Sequence, residues 1–245
     1  MTILLQGGGL QAVGSGIVLP TPIARYRFDE GAGATIADMY GGPSLTQTGG
    51  VWGPDYLSID GNTGVAEFTS PNGTWYDIGN THFSVGLWFN PNDVSGTATQ
   101  TLWMIGSGAG ATTGAITMTV SYDNNGDRFR VNCISAGNVQ KVSDLSFTLS
   151  AGTNYLYMIT YNKSTDDNCT LTQYVCPEGS PGSIASAVDS TQKLLKQVAT
   201  HELHSKTILG GTGGYDCRYK DMPRYNTVFS QAEFLGLLAR GSEAA

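Results

Sequence analysis

The clearest alternation along the chain is Phe83-Ser84-Val85-Gly86-Leu87-Trp88-Phe89-Asn90-Pro91. Side chains on a strand alternate between faces, so Phe83, Val85, Leu87 and Phe89 share one side, and that side belongs to a core. Ser84, Gly86 and Asn90 suit the opposite face. Trp88 is the exception there, and it predicts a two-layer β protein in which a loop covers even the outer face. Pro91 ends the strand because it cannot donate to the ladder.

The same period recurs elsewhere. Residues 25–28 alternate with Tyr26 and Phe28 inward and Arg25 and Arg27 outward, before the turn Asp29-Glu30-Gly31-Ala32-Gly33. Short strands are expected at 35–37, 56–59 and 65–68. Asn125-Gly126 between the runs 116–122 and 128–134 predicts a hairpin, since both residues tolerate positive φ. A second hairpin is expected from 154–162 and 169–175. Ser230 with Glu233 three residues on forms a capping box and predicts a helix over 231–239. In 184–206, Val188, Leu194, Leu195 and Val198 fit one face of a helix beginning near Ser190, while the sheet needs a strand in this region as well; a loop carrying a short helix is expected.

Composition narrows the class. Charged residues make up 13% of the 245, against about 25% in ordinary soluble domains, and there are 33 glycines, which favours many short strands joined by tight turns. The net charge of -7 leaves no basic stripe to follow phosphates, so nucleic acid is an unsuitable partner. No apolar run approaches the ~20 residues needed for a membrane span. The first basic residue is Arg25, so the start lacks the positive region of a secretory signal, and synthesis in a host cytoplasm without classical export is expected. Cys133, Cys169, Cys176 and Cys217 form no CxxC pair and are expected as buried thiols, with a Cys169–Cys176 disulfide as the open alternative.

Residues 1–22 carry no charge and are rich in glycine and apolar groups. Such an arm must lie on something, either the domain's own sheet edge or another protein, and docking to another protein is the expectation. Ile3, Leu4, Leu5, Leu10, Val13, Ile17, Val18 and Leu19 are the candidate docking residues.

Several landmarks follow one another in a set order along the chain. They are Tyr26-Arg27-Phe28-Asp29-Glu30-Gly31-Ala32-Gly33, Asp38, Trp52, Leu57-Ser58-Ile59-Asp60-Gly61 and the run 83–91. Trp103-Met104-Ile105-Gly106, Tyr157-Met158-Ile159-Thr160-Tyr161-Asn162, Ile208-Leu209-Gly210-Gly211 and Tyr225-Asn226 with Phe229-Ser230-Gln231-Ala232-Glu233 continue it. In this order the landmarks resemble those of the laminin G-like, concanavalin A-like jelly-roll domains, and the resemblance covers about 25–240. It implies an all-β, two-sheet antiparallel jelly-roll sandwich over 25–245, preceded by an extended arm over 1–24 and closed by a short helix. Two family features depart: the ligand-proximal hairpin ends in Cys176-Pro177-Glu178-Gly179, and the central strand lacks its Trp-x-His.

Candidate chemistry is sparse. The Glu-x-Asp-x-x-Glu strand of glycoside hydrolases on this fold is absent, and Asp29-Glu30 and Asp166-Asp167 are adjacent pairs suited to solvated turns. No enzyme is expected. Asp123, Asn125 and Asp127 are weak candidates for Ca²⁺, although hairpin chemistry already explains their loop. Trp75 and Tyr76 are candidates for stacking a sugar. The expected function is a non-enzymatic interaction protein of an assembled particle, most simply a bacteriophage virion component such as a capsid decoration or tail appendage. Its arm would dock to other virion proteins or to copies of itself, and its jelly roll would meet surface glycans. The alternatives are a stand-alone carbohydrate-binding module and, last, a glycan hydrolase.

Overall fold

A computed structural model describes residues 17–42, 44–60, 65–70, 82–95, 99–106, 117–134, 140–163, 169–192, 205–210 and 216–242. In chain order the first strands are β1 (Ala24–Tyr26), β2 (Thr35–Ile36), β3 (Leu45–Thr48), β4 (Val51–Trp52), β5 (Leu57–Ile59), β6 (Val65–Ser70), β7 (Phe83–Pro91) and β8 (Thr99–Gly106). They are followed by β9 (Thr117–Asp123), β10 (Arg128–Ile134), β11 (Gln140–Ser146), β12 (Tyr155–Lys163) and β13 (Cys169–Pro177). A single 3₁₀ turn (Pro181–Ser183), β14 (Ala185–Gln192), β15 (Ser205–Gly210), β16 (Cys217–Tyr225) and α1 (Gln231–Arg240) complete the described elements.

Two antiparallel sheets form from these strands. The front sheet runs β14-β13-β12-β7-β16-β5-β4 with β1 beside β16, and the back sheet runs β11-β10-β9-β8-β15-β6-β3-β2. Strand β7 lies at the centre of the front sheet, and its four alternating apolar residues are fully buried between the layers. The Phe129 ring of β10 stacks on Tyr157 of β12 at 4.5 Å and meets Tyr122 edge-on at 5.0 Å, which locks back sheet to front. The chain is therefore an all-β sandwich with one short C-terminal helix.

Both expected hairpins form. In the first, however, the residue at positive φ is Asp127 (43°), not Asn125 or Gly126. The turn has four residues, and its last one takes the left-handed conformation that Asp tolerates. Within 184–206, Leu194, Leu195 and Val198 of the expected helix lie outside the described residues, while residues 185–192 form strand β14, paired to β13 and preceded by a 3₁₀ turn. Its inward residues are the small Ala185 and Ala187, so the strand period is faint. Strand β11 had no sequence signal because one of its inward positions is the polar Ser143, which accepts from Gln173 Nε2 at 2.9 Å across the sandwich.

Trp88 is buried, but a helix covers it rather than a loop. Helix α1 starts at the expected capping box, with Ser230 Oγ accepting from the Glu233 amide and Glu233 Oε2 from the Ser230 amide. Phe234, Leu237 and Leu238 of the helix pack with Trp88, Leu156, Met158, Tyr174, Cys176, Tyr225 and Phe229 in a second apolar cluster on the outer face of the front sheet. Beside it lies Arg25, which alternation sends out of the main core but not into water. It donates from Nε and Nη2 to both oxygens of Asp221 at 2.9 and 2.8 Å, and the pair is 1% and 0% exposed.

The leading segment joins this cluster. Leu19 is buried in it, and Ile17 and Leu19 lie against Gly236 of the helix, while Val18 is exposed. Gly236 carries no Cβ there, which permits the close approach. Candidate arm residues Ile3, Leu4, Leu5, Leu10 and Val13 lie outside the described residues.

All four cysteines are buried, and none forms a disulfide. Cys169 and Cys176 sit on one strand an odd number of residues apart, so they face opposite clusters and cannot bridge. Burial raises both thiols to about 11, which keeps them protonated and unreactive.

Candidate functional site

Among the described residues, the outer face of the front sheet is covered only in part. Away from α1, it holds an open cleft of about 560 Å³ lined by Val51, Tyr56, Ser58, Asn90, Pro91, Asn92, Gly152 and Arg218. Strand alternation places these groups. Leu57 and Ile59 point into the core, so Ser58 points out; Cys217 and Tyr219 point in, so Arg218 points out; and Phe89 points in, so Asn90 points out. Register then aligns them. Val51 pairs with Ser58, Ser58 with Arg218 and Arg218 with Asn90, forming one row across β4, β5, β16 and β7.

Hydrogen bonds extend and stiffen the row. Asn90 Nδ2 donates to Gly152 O at 2.9 Å and to Asn154 Oδ1 at 2.8 Å, and Asn154 Nδ2 donates to Glu178 Oε2 at 2.7 Å. Asn92 Nδ2 donates to Ser58 Oγ at 3.1 Å and to Asp216 Oδ1 at 2.8 Å. The buried Asn90 Oδ1 accepts from no described residue. An unsatisfied buried acceptor costs about 1–3 kcal/mol, so a hydroxyl or water that bonds to it brings a gain.

Tyr56 acts as a pedestal for Arg218. The Gly53 amide donates to Tyr56 O at 2.9 Å and closes the β4–β5 turn, and the ring lies so near Gly53 that a Cβ at that position would collide with it. The Arg218 guanidinium carbon is 5.1 Å from the ring centroid. That distance is within the cation–π range. Nearby acids are engaged elsewhere: Asp55 accepts from Lys220 Nζ at 3.1 Å, and Asp216 from Asn92. Among the described residues no carboxylate lies within ion-pair distance of Arg218.

The sequence candidates fall elsewhere. Trp75 and Tyr76 lie outside the described residues. Asp123 accepts from Arg128 Nη2 at 2.8 Å and Nε at 3.1 Å, and this pairing holds its carboxyl below the usual carboxylate range. Asp127 accepts from the Tyr122 and Thr148 hydroxyls at 3.3 Å. These bonds close the hairpin, and among the described residues no group of three His, Cys, Asp or Glu side chains is arranged to hold a metal. His82, just before β7, accepts at Nδ1 from the Lys163 amide at 3.1 Å.

None of the cleft residues stood out in sequence. The one available signal was Arg218, a cation at an outward position between two core residues.

No protein-family model matches the sequence, and no curated protein matches it. Solved structures share the fold. Trypanosoma rangeli sialidase in complex with 2,3-difluoro-KDN aligns with a TM-score of 0.69 at 18% identity, over 100% of this chain and 37% of that one. The receptor binding domain of botulinum neurotoxin C/D mosaic serotype aligns at 0.60 with 11% identity, over 90% and 51%. The binding domain of botulinum neurotoxin serotype D aligns at 0.58 with 12% identity, over 89% and 50%. The chain thus spans between about a third and a half of these proteins. At such identities the likeness is one of fold.

Proposed function

We propose that the chain is a non-enzymatic saccharide-binding β-sandwich module, of the laminin G-like or concanavalin A-like kind, displayed on an assembled particle. The observation that carries this reading is the composition of the cleft: the Asn92 amide oxygen, the Ser58 hydroxyl, an Arg on an aromatic pedestal, and the exposed Val51 at the rim. Fixed donors and acceptors beside a small apolar patch suit the alternating hydroxyls and C–H face of a sugar. None of the described lining residues is an acid, which argues against the paired carboxylates of glycoside hydrolysis. The fold neighbours add support, since one is a sialidase bound to a sugar analogue and another a receptor binding domain.

Display is supported by the uncharged leading segment. The chain's own helix takes up Ile17 and Leu19, Val18 is exposed, and we assign Ile3, Leu4, Leu5, Leu10 and Val13 to a partner on their apolar, uncharged sequence alone. A bacteriophage virion is the assembly we propose for it, with other virion proteins or further copies of the chain as that partner.

A glycan array probed with the full chain, beside an Asn92→Ala/Arg218→Ala double variant, tests the binding half of the proposal. Retention of a defined saccharide that the double variant loses at unchanged melting temperature supports it. An empty array, or retention indifferent to both substitutions, overturns it.

A further inference from the structure

Resting on that reading, we infer that the saccharide bound in this cleft carries a carboxylate, which Arg218 receives. The chain has a net charge of -7, so a polyanion has no general reason to approach it. Local arrangement must supply the attraction. Among the described residues Arg25 pairs with Asp221, Arg27 with Asp29, Arg128 with Asp123, Arg130 with Asp144 and Lys220 with Asp55. Arg218, like Lys141 and Arg240, has no carboxylate partner among the described residues, and of these three it is the one that lines the cleft, where its neighbouring acids Asp55 and Asp216 bond to other side chains.

The geometry favours a planar anion. A guanidinium lying over a ring has its face occupied, and its N–H donors still project in the plane of the fork. That fork matches the two oxygens of a carboxylate in a bidentate pair. The rest of the row is spaced for the remainder of a sugar. Ser58 and Asn90 lie directly opposite Arg218 on the neighbouring strands, about 5 Å away on either side. Arg218 therefore sets specificity, and Tyr56 with Gly53 holds it in position.

The test is a calorimetric titration of the full chain with four probes: oligogalacturonate, its methyl ester, sialyllactose and sulfated galactose. The inference expects at least one of the two acids to bind ten-fold or more tighter than the neutral ester. Arg218→Gln should erase that preference while leaving residual neutral binding, and Arg218→Lys, which keeps charge but loses the fork, should restore only part of it. Gly53→Ala, which displaces the pedestal without touching Arg218, should reproduce part of the loss. Equal binding of the ester and the acids, unchanged in Arg218→Gln, overturns the inference and leaves saccharide binding standing. Preference for the sulfated sugar also overturns it. If none of the four binds and the glycan array is empty as well, the inference falls together with the proposed function.

Discussion

The outer face of the front sheet is two surfaces on one set of strands. Toward one end, Trp88, Leu156, Met158 and Tyr174 are sealed beneath α1 and residues 17–19; toward the other, Ser58, Arg218, Asn90 and Asn92 form a polar row that nothing described covers. Along β7 the switch takes two residues, from Trp88 to Asn90. Between the halves sits the Arg25–Asp221 pair, with Arg25 Nη2 also donating at 3.2 Å to Ser242 O just beyond the helix. The difference teaches that the covered half is part of the fold's stability, while the open half is free to be chosen for something else.

Breaking the covered half should cost most. Phe234→Ala removes a buried ring stacked 5.3 Å from Tyr174 and should destabilise by about 3–5 kcal/mol in urea unfolding. At the boundary, Asp221→Ala strands a buried guanidinium and should also cost about 3–5 kcal/mol, whereas Arg25→Met/Asp221→Leu together should fall within about 1 kcal/mol of the parent. Burial raises Asp221 to about 6 in spite of Arg25. The folded chain then keeps a proton that the unfolded chain releases near pH 4, so this group's contribution to stability declines as pH rises from about 4 to about 6 and levels off above. Asp221→Asn should lose that slope in urea midpoints followed across the window.

Ser230→Ala opens the capping box and should cost about 1 kcal/mol, read as a lower melting temperature. Smallest of all, Arg218→Gln in the open half should change stability by less than about 0.5 kcal/mol, because the side chain has no buried partner to strand. A large loss of stability there would erase the distinction between the halves.

Much of the fold was legible in the sequence. Phe83 to Pro91, the two hairpins and the Ser230–Glu233 box all state their structure within a few residues, because strand alternation and helix capping are local. Strand β14 was not legible, since alanines and serines give no period. Nor was the fate of Arg25 and Trp88: alternation says which side of a strand a residue leaves by, and not whether a helix some 150 residues later will lie over it. The cleft was hidden for the same reason. Its residues come from 51–58, 90–92, 152 and 218, each ordinary in its own segment, and only antiparallel register brings Ser58, Arg218 and Asn90 into line.

Hydrogen–deuterium exchange of the full chain with and without a retained saccharide tests the account most directly. The account predicts slowed exchange confined to residues 51–58, 90–92 and 216–218, with the amides of 231–240 unchanged. Protection confined to the segment holding Trp75 and Tyr76, or spread over the helix, would contradict it.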